Sequence, residues 1–399
     1  MNQLPLEQSN SSTFIIRTTM NNACATSPRR GSALRPLLFL FALLISGMCA
    51  STPNSSNRPS AMFVMGDSSV DCGQNTLFYS LFHHNLSLYP CNGTVSTLVP
   101  YILAEKMGLP QMQPFYSLNG SISTLLRGIN FGSAQATIIN SGKSLQSLSQ
   151  QLRQVTDTFQ QLQLQLSQET AKHLIRSFIF YVSFGKNDYT DIFLRNTSGI
   201  MSKGGQQFAH ILVGQMIHAL WDLYQADIRK IVVMGILPLG CAPRMMLYWR
   251  NKTDDGGERG CVDEVNAWVV AYNTLLEDHV VEFRNKYPDA QIVFCDVYRV
   301  VLEIITHPMS YGFEDVKRAC CGLGWYGAMI GCLSHESACS RSSTYVWLDF
   351  YNPTSAVNSF LAESGWSGKP ILIYECSGIK RELITHMPVY RITERNSFD

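Results

Sequence analysis

Several things this 399-residue chain lacks narrow its function. Charge is scarce: Asp, Glu, Lys and Arg make up 15% of the residues, and the formal net charge is +1. A nucleic-acid-binding surface needs a basic excess, and the body of the chain has neither that nor a long basic run. There is no C-x-x-C pair, which argues against a zinc ribbon. H-E-x-x-H and P-loop motifs are missing, and so is the G-x-S-x-G elbow of ordinary α/β-hydrolases. One G-x-G-x-x-G occurs at Gly322–Gly327, but it follows Cys320-Cys321 rather than a strand, so it does not read as a dinucleotide loop. Beyond residue 50 no apolar stretch reaches the roughly 20 residues that cross a bilayer. No internal repeat is present.

Apolar residues, at 46%, are plentiful enough for a large core. The N-terminus has the layout of a secretory leader: Arg29, Arg30 and Arg35, the apolar run Pro36–Ser46, then small residues to Ala50. Residues 1–50 are therefore expected to be a leader, with Met20 as an alternative start. Residues 51–59 read as a flexible lead-in, 60–388 as one domain and 389–399 as a polar tail. Two further features fit an oxidising secretory route and an extracellular destination. Ten of the 12 cysteines follow the leader, an even number suited to disulfides. Cys320 and Cys321 are adjacent and are expected to bond to different partners, with Cys332 and Cys339 nearest. Cys295, inside an apolar run, reads as a buried thiol. Six N-x-S/T sequons lie at Asn54, Asn85, Asn92, Asn119, Asn196 and Asn251.

Apolar runs at Ala61–Met65, Phe178–Phe184, Ile231–Met234 and Ile292–Phe294 predict buried strands, with a short one at Gly128–Phe131. Helices are predicted around Thr97–Met107 and 204–226. Leu145, Leu148, Leu152, Val155, Phe159, Leu162 and Leu166 form one amphipathic stripe, and Val262 to Phe283 carries another. Pro353 is placed at the start of a last helix. Continuous apolar strands alternating with helices predict an α/β fold, its mostly parallel sheet covered on both faces.

In such a sheet the site lies beyond the C-terminal strand ends. Two polar segments stand there, Gly66-Asp67-Ser68 and Gly185-Lys186-Asn187-Asp188, and a third, Asp349 through Thr354, precedes the last helix. A serine on a tight strand-to-helix turn is exposed and well placed as a nucleophile. Each segment alone is commoner as a plain turn or cap. Taken in order, with Gly128–Ala136, Gly235–Cys241 and Cys320-Cys321-Gly322 between them, they resemble the plant branch of the GDSL esterase/lipase (SGNH hydrolase) family over about residues 60–375.

The resemblance implies a three-layer α/β/α, flavodoxin-like fold. It also implies a site that hydrolyses carboxylic esters, of a lipid or another small acyl substrate, through an acyl-enzyme and without a cofactor or metal. Carried over by position, Ser68 is the nucleophile, Asp349 orients the base, and the Ser68 backbone N–H and the Asn187 side-chain amide are oxyanion donors. Two positions depart from the pattern. Gln135 stands where a glycine N–H completes the oxyanion hole. Asn352 stands where the catalytic histidine belongs, and an amide cannot accept the serine proton at neutral pH. Loss of a triad member removes orders of magnitude in rate, which keeps two alternatives open. One is a catalytically dead protein on the same fold that binds an acyl or glycan ligand or a partner; the other is acyl transfer to an acceptor other than water. The nine histidines at 83, 84, 173, 210, 218, 279, 307, 335 and 386 offer no motif-based substitute, His335 being nearest in sequence to the Asp349 segment. Oligomeric state and acyl length have no local signature.

Overall fold

The computed structural model describes residues 59–71, 75, 97–139, 146–193, 204–250, 260–332, 338–367, 379 and 383. The leader, the sequons other than Asn119, Cys72, Cys91, Cys376, His83, His84, His335 and His386 lie outside the described residues.

The core is a six-stranded sheet in the order β2-β3-β1-β4-β5-β6, every neighbouring pair parallel. Its strands are β1 (Met62–Gly66), β2 (Gln113–Pro114), β3 (Ile129–Asn130), β4 (Ile179–Ser183), β5 (Lys230–Met234) and β6 (Gln291–Cys295). Every residue of β1, β4 and β5 is buried, so both sheet faces are covered, as runs without polar alternation require. The helices fall into two packed groups. One holds α3 (Leu148–Gln165), α4 (Gln168–Ser177), α5 (Gly205–Gln225) and α7 (Asp263–Lys286); the other holds α1 (Val99–Lys106), α8 (Val297–Thr306) and α9 (Ser355–Ser367). The short helices α2 (Ile122–Leu125) and α6 (Pro243–Arg250) complete the set. This is the three-layer α/β/α arrangement. Among the described residues no helix is long and apolar enough to cross a membrane.

After α3, Ser167 caps a further helix, α4, its side chain accepting from Thr170 N. Two local expectations are corrected. Pro353 is not in the last helix: it bridges to Trp347, and Thr354 precedes the helix, its Oγ1 accepting from Val357 N at 3.5 Å. Cys295 is disulfide-bonded rather than a free thiol.

A second, two-stranded parallel sheet joins β7 (Asp315–Ala319) to β8 (Tyr345–Trp347). Disulfides Cys320–Cys339 and Cys321–Cys332 staple the segment that follows β7, and Cys241–Cys261 ties the loop after β5 to the approach to α7. The adjacent cysteines thus have separate partners, Cys339 and Cys332. Backbone bonds from Cys320 N to Trp347 O (2.9 Å) and from Cys321 N to Leu348 O (2.7 Å) tie the stapled segment to the residues leading into Asp349.

Candidate active site

β1 ends at Gly66, where the chain passes so close to β4 that a Cβ would sit 2.5 Å from Ser183 O. Only glycine allows this approach, and it aims the next residues over the sheet edge. Asp67 then organises the turn. Its Oδ1 accepts from Ser69 N at 2.9 Å and its Oδ2 from Asn187 N at 3.4 Å, so one carboxylate clasps the turns after β1 and β4. Gln151 of α3 anchors the same turn from below: Oε1 accepts from Gly66 N at 2.9 Å, and Nε2 donates to Gly66 O at 2.9 Å and Gln146 O at 3.0 Å. Ser68, part-buried, is left facing the cleft.

The turn after β4 begins with Gly185 at φ +109°, a left-handed conformation that suits glycine. It delivers Lys186 and Asn187 to the cleft and continues into a π-helical turn, Asp188–Phe193. Asn187 Nδ2 donates to the carbonyls of Ala134 and Ala136, both at 2.9 Å. Two carbonyl oxygens can be faced only by the nitrogen end of the amide, so Oδ1 turns to Ser68 and accepts a hydrogen bond from its hydroxyl at 2.7 Å. In this geometry Asn187 is an acceptor for the serine, not the side-chain oxyanion donor expected of it. The segment 133–136 that it holds supplies the other expected donor, Gln135. Gln135 is exposed; its neighbour Ala134 lines the cleft. Neither the Ser68 nor the Gln135 backbone N–H has an acceptor among the described residues. Asp188 points away from the cleft and takes the N–H groups of Ile138 (2.8 Å) and Ile139 (3.0 Å). Its burial outweighs those bonds and pushes its carboxyl up to about 7.

The third segment hangs from β8. Leu348 N donates to Asn352 O at 2.8 Å, closing a tight loop with Asp349 at its start. Asp349 Oδ1 accepts from the backbone of Tyr351 (3.0 Å) and Asn352 (2.8 Å), and Oδ2 accepts from Asn352 Nδ2 at 2.8 Å. With Nδ2 on the carboxylate, Asn352 Oδ1 faces the other way and accepts a hydrogen bond from Lys186 Nζ. Lys186 is only 4% exposed. Burial draws its ammonium below the ordinary lysine value, against the attraction of Asp67, Asp349 and Asp191.

Ser68, Lys186, Asp349 and Asn352 thus share one cleft of about 220 Å³ at the C-terminal sheet edge. Its apolar walls include Leu98, Val99, Ile236, Leu237, Val297 and Leu361. None of the five described histidines lines it: His173, His210, His218, His279 and His307 lie on or at the end of outer helices, with His279 and His307 bonded to Glu282 and Glu303. Among the described residues no cluster of three side chains could hold a metal ion. Sequence reasoning had not singled out Lys186 or Gln151. Each has a signal in hindsight: a lysine inside a turn after a buried strand, and a glutamine on the apolar side of a helix.

The family model for GDSL-like lipase/acylhydrolase matches residues 62–364, from β1 to within α9. GDSL esterase/lipase At1g71250 of Arabidopsis thaliana is 33% identical over 329 residues, covering 78% of this chain and 86% of that protein. GDSL esterase/lipase At4g16230 is 30% identical over 357 residues (85% and 94%), and GDSL esterase/lipase 7 is 29% identical over 340 (79% and 91%), both from the same plant. With a parallel sheet carrying its serine turn beyond β1 and an aspartate arm brought over the same cleft, the chain belongs to the GDSL-like lipase/acylhydrolase family, hydrolases of carboxylic esters.

Proposed function

We propose that this is a secreted esterase that cleaves small acyl esters through a covalent acyl-enzyme on Ser68. The observation that carries the reading is the Ser68 hydroxyl, held at 2.7 Å by Asn187 Oδ1 in an apolar-walled cleft beside Asp349 and Asn352. Ser68 Oγ attacks the ester carbonyl, the alcohol leaves, and water releases the acid. The N–H groups of Ser68 and Gln135, which have no acceptor among the described residues, are the candidate donors for the oxyanion; Asn187 joins them only by giving up its bonds to Ala134 and Ala136. The apolar walls suit the acyl group. Asn352 occupies the position of the usual histidine, and its contact with Asp349 keeps the arm folded over the site. The leader of residues 1–50, the six sequons and the paired cysteines support export and glycosylation of the domain at 60–388.

Hydrolysis of p-nitrophenyl acetate, butyrate and octanoate by the glycosylated mature chain tests this, alongside labelling by a fluorophosphonate probe. The wild type is expected to turn over and to be labelled, and Ser68→Ala to do neither. Equal rates in the two proteins would refute the acyl-enzyme reading and leave ligand binding without turnover.

A further inference from the structure

We infer that Lys186 is the general base of this hydrolase, its amine oriented by Asn352 and Asp349 and taking the Ser68 proton that imidazole takes elsewhere in the family. The inference rests on Ser68 being the nucleophile.

Three observations lead to it. Position 352 holds an amide that cannot accept the proton, yet its polar ends are both committed: Nδ2 to Asp349 Oδ2 at 2.8 Å and Oδ1 to Lys186 Nζ. The carboxylate that orients an imidazole in a triad here orients an amide, which in turn orients an amine. Second, Lys186 adjoins Asn187, whose Oδ1 holds the Ser68 hydroxyl, and both Lys186 and Ser68 line the cleft. Once the Ser68 hydroxyl turns from Asn187, the path of its proton to Lys186 lies within this one cleft. Third, Lys186 is buried and makes no salt bridge among the described residues, although Asp67, Asp349 and Asp191 surround it at longer range. A lysine whose partner is a neutral amide is easier to deprotonate than one in an ion pair. Burial lowers its proton affinity further.

The chemistry balances without a co-reactant. The neutral amine takes the proton from Ser68 Oγ as Oγ bonds to the ester carbon and the carbonyl π pair moves to oxygen. When that pair returns, the alkoxide leaves and takes the proton from the ammonium. The amine next takes a proton from the water that attacks the acyl-serine, and the departing Oγ recovers it. One ester and one water become one acid and one alcohol, and Lys186 ends as it began.

The test uses the glycosylated mature chain and p-nitrophenyl butyrate, with kcat and KM measured from about pH 6 to pH 9.5 and folding followed by thermal melts. Lys186→Met is expected to lose about 100-fold or more in kcat with little change in KM. Lys186→Arg keeps the positive charge but cannot release its proton, and is expected to stay as slow. The double variant Lys186→Met with Asn352→His is expected to recover at least about tenfold over Lys186→Met. The pH dependence of kcat is expected to differ between wild type and the double variant, the latter rising through the imidazole range at about 6.5. Lys186→Met within about threefold of wild type, or Lys186→Arg as fast as wild type, would overturn the inference while Ser68→Ala remains dead. Should Lys186→Met not fold, Lys186→Arg decides, since it keeps the charge and the donor to Asn352 but cannot release a proton at these pH values. Failure of the underlying reading looks different, because Ser68→Ala would then match wild type whatever the lysine variants do.

Discussion

Asn352 is joined to Asp349 twice over, its backbone N–H donating to Oδ1 and its side-chain Nδ2 to Oδ2, each at 2.8 Å. The backbone bond does not depend on the side chain at 352, so the arm is shaped to accept another residue there.

Asn352→His tests that. The ring N–H takes the place of Nδ2 on the carboxylate, leaving the other ring nitrogen to face the cleft. The kcat on short acyl p-nitrophenyl esters is expected to rise about tenfold or more. The pH at which the rate rises should fall toward the imidazole range near about 6.5. A kcat at neutral pH no higher than that of wild type would mean that position 352 does not reach the nucleophile.

Gln151→Leu separates stability from turn geometry. The substitution keeps a side chain of similar size on α3 but leaves Gly66 N without its 2.9 Å acceptor and Gly66 O with Ser133 N, at 3.0 Å, as its remaining donor. One unsatisfied buried backbone N–H costs about 1–3 kcal/mol. The melting temperature should drop by several degrees, and kcat should fall more than at other sites of equal destabilisation because Ser68 follows two residues later. An unchanged melting temperature would refute the anchoring role.

Asp188 gives the fold a pH dependence of known sign. Its carboxyl is held at about 7 in the folded chain against an ordinary 3.8. The folded state therefore binds this proton more tightly than the unfolded state does. The stabilisation is full below about pH 4 and is lost as pH rises through about 7. Urea titrations at about pH 5 and pH 8 should show wild type losing more stability over this interval than Asp188→Asn. The opposite ordering would mean that the two N–H bonds from Ile138 and Ile139 outweigh burial.

The cysteine staples matter to catalysis as well as to folding. Paired replacement of Cys321 and Cys332 by alanine should cost about 2–4 kcal/mol. Because Cys321 N is bonded to Leu348 O, one residue before Asp349, the loss should also reduce kcat at temperatures where the variant is still folded. Unaltered kcat in a folded variant would show that β8 alone positions the arm.

How legible all this was depended on range. β1, β4, β5 and β6 could be read because each is a continuous apolar run whose burial is its own signature. The long helices could be read from their stripes, but the start of α4 rests on a single capping serine, Ser167. The two-stranded sheet of β7 and β8 was missed: β7 is Asp-Val-Lys-Arg-Ala, half-exposed and without an apolar period. At the site, Ser68 stood out as a polar residue after a strand, and Asp349 as part of the polar segment before the last helix. Lys186 did not, since its meaning lies in a contact 166 residues away, with Asn352. The acceptor role of Asn187 was equally hidden, because it depends on where the Ala134 and Ala136 carbonyls point.

The two halves of the site hang on different sheets. Ser68, Lys186 and Asn187 follow β1 and β4, neighbours paired along five residues and clasped by Asp67. Asp349 and Asn352 follow β8, which belongs to the other sheet. One wall of the cleft is therefore built on the large sheet, and the other on an arm whose strand pairs with β7 and is seated in the core by Val346 and Trp347. Asn352 and Lys186 meet across the join between the two, so one hydrogen bond couples the strand turns to the arm. The proton-transfer geometry inferred for Lys186 therefore depends on the seating of the small sheet as much as on the large one.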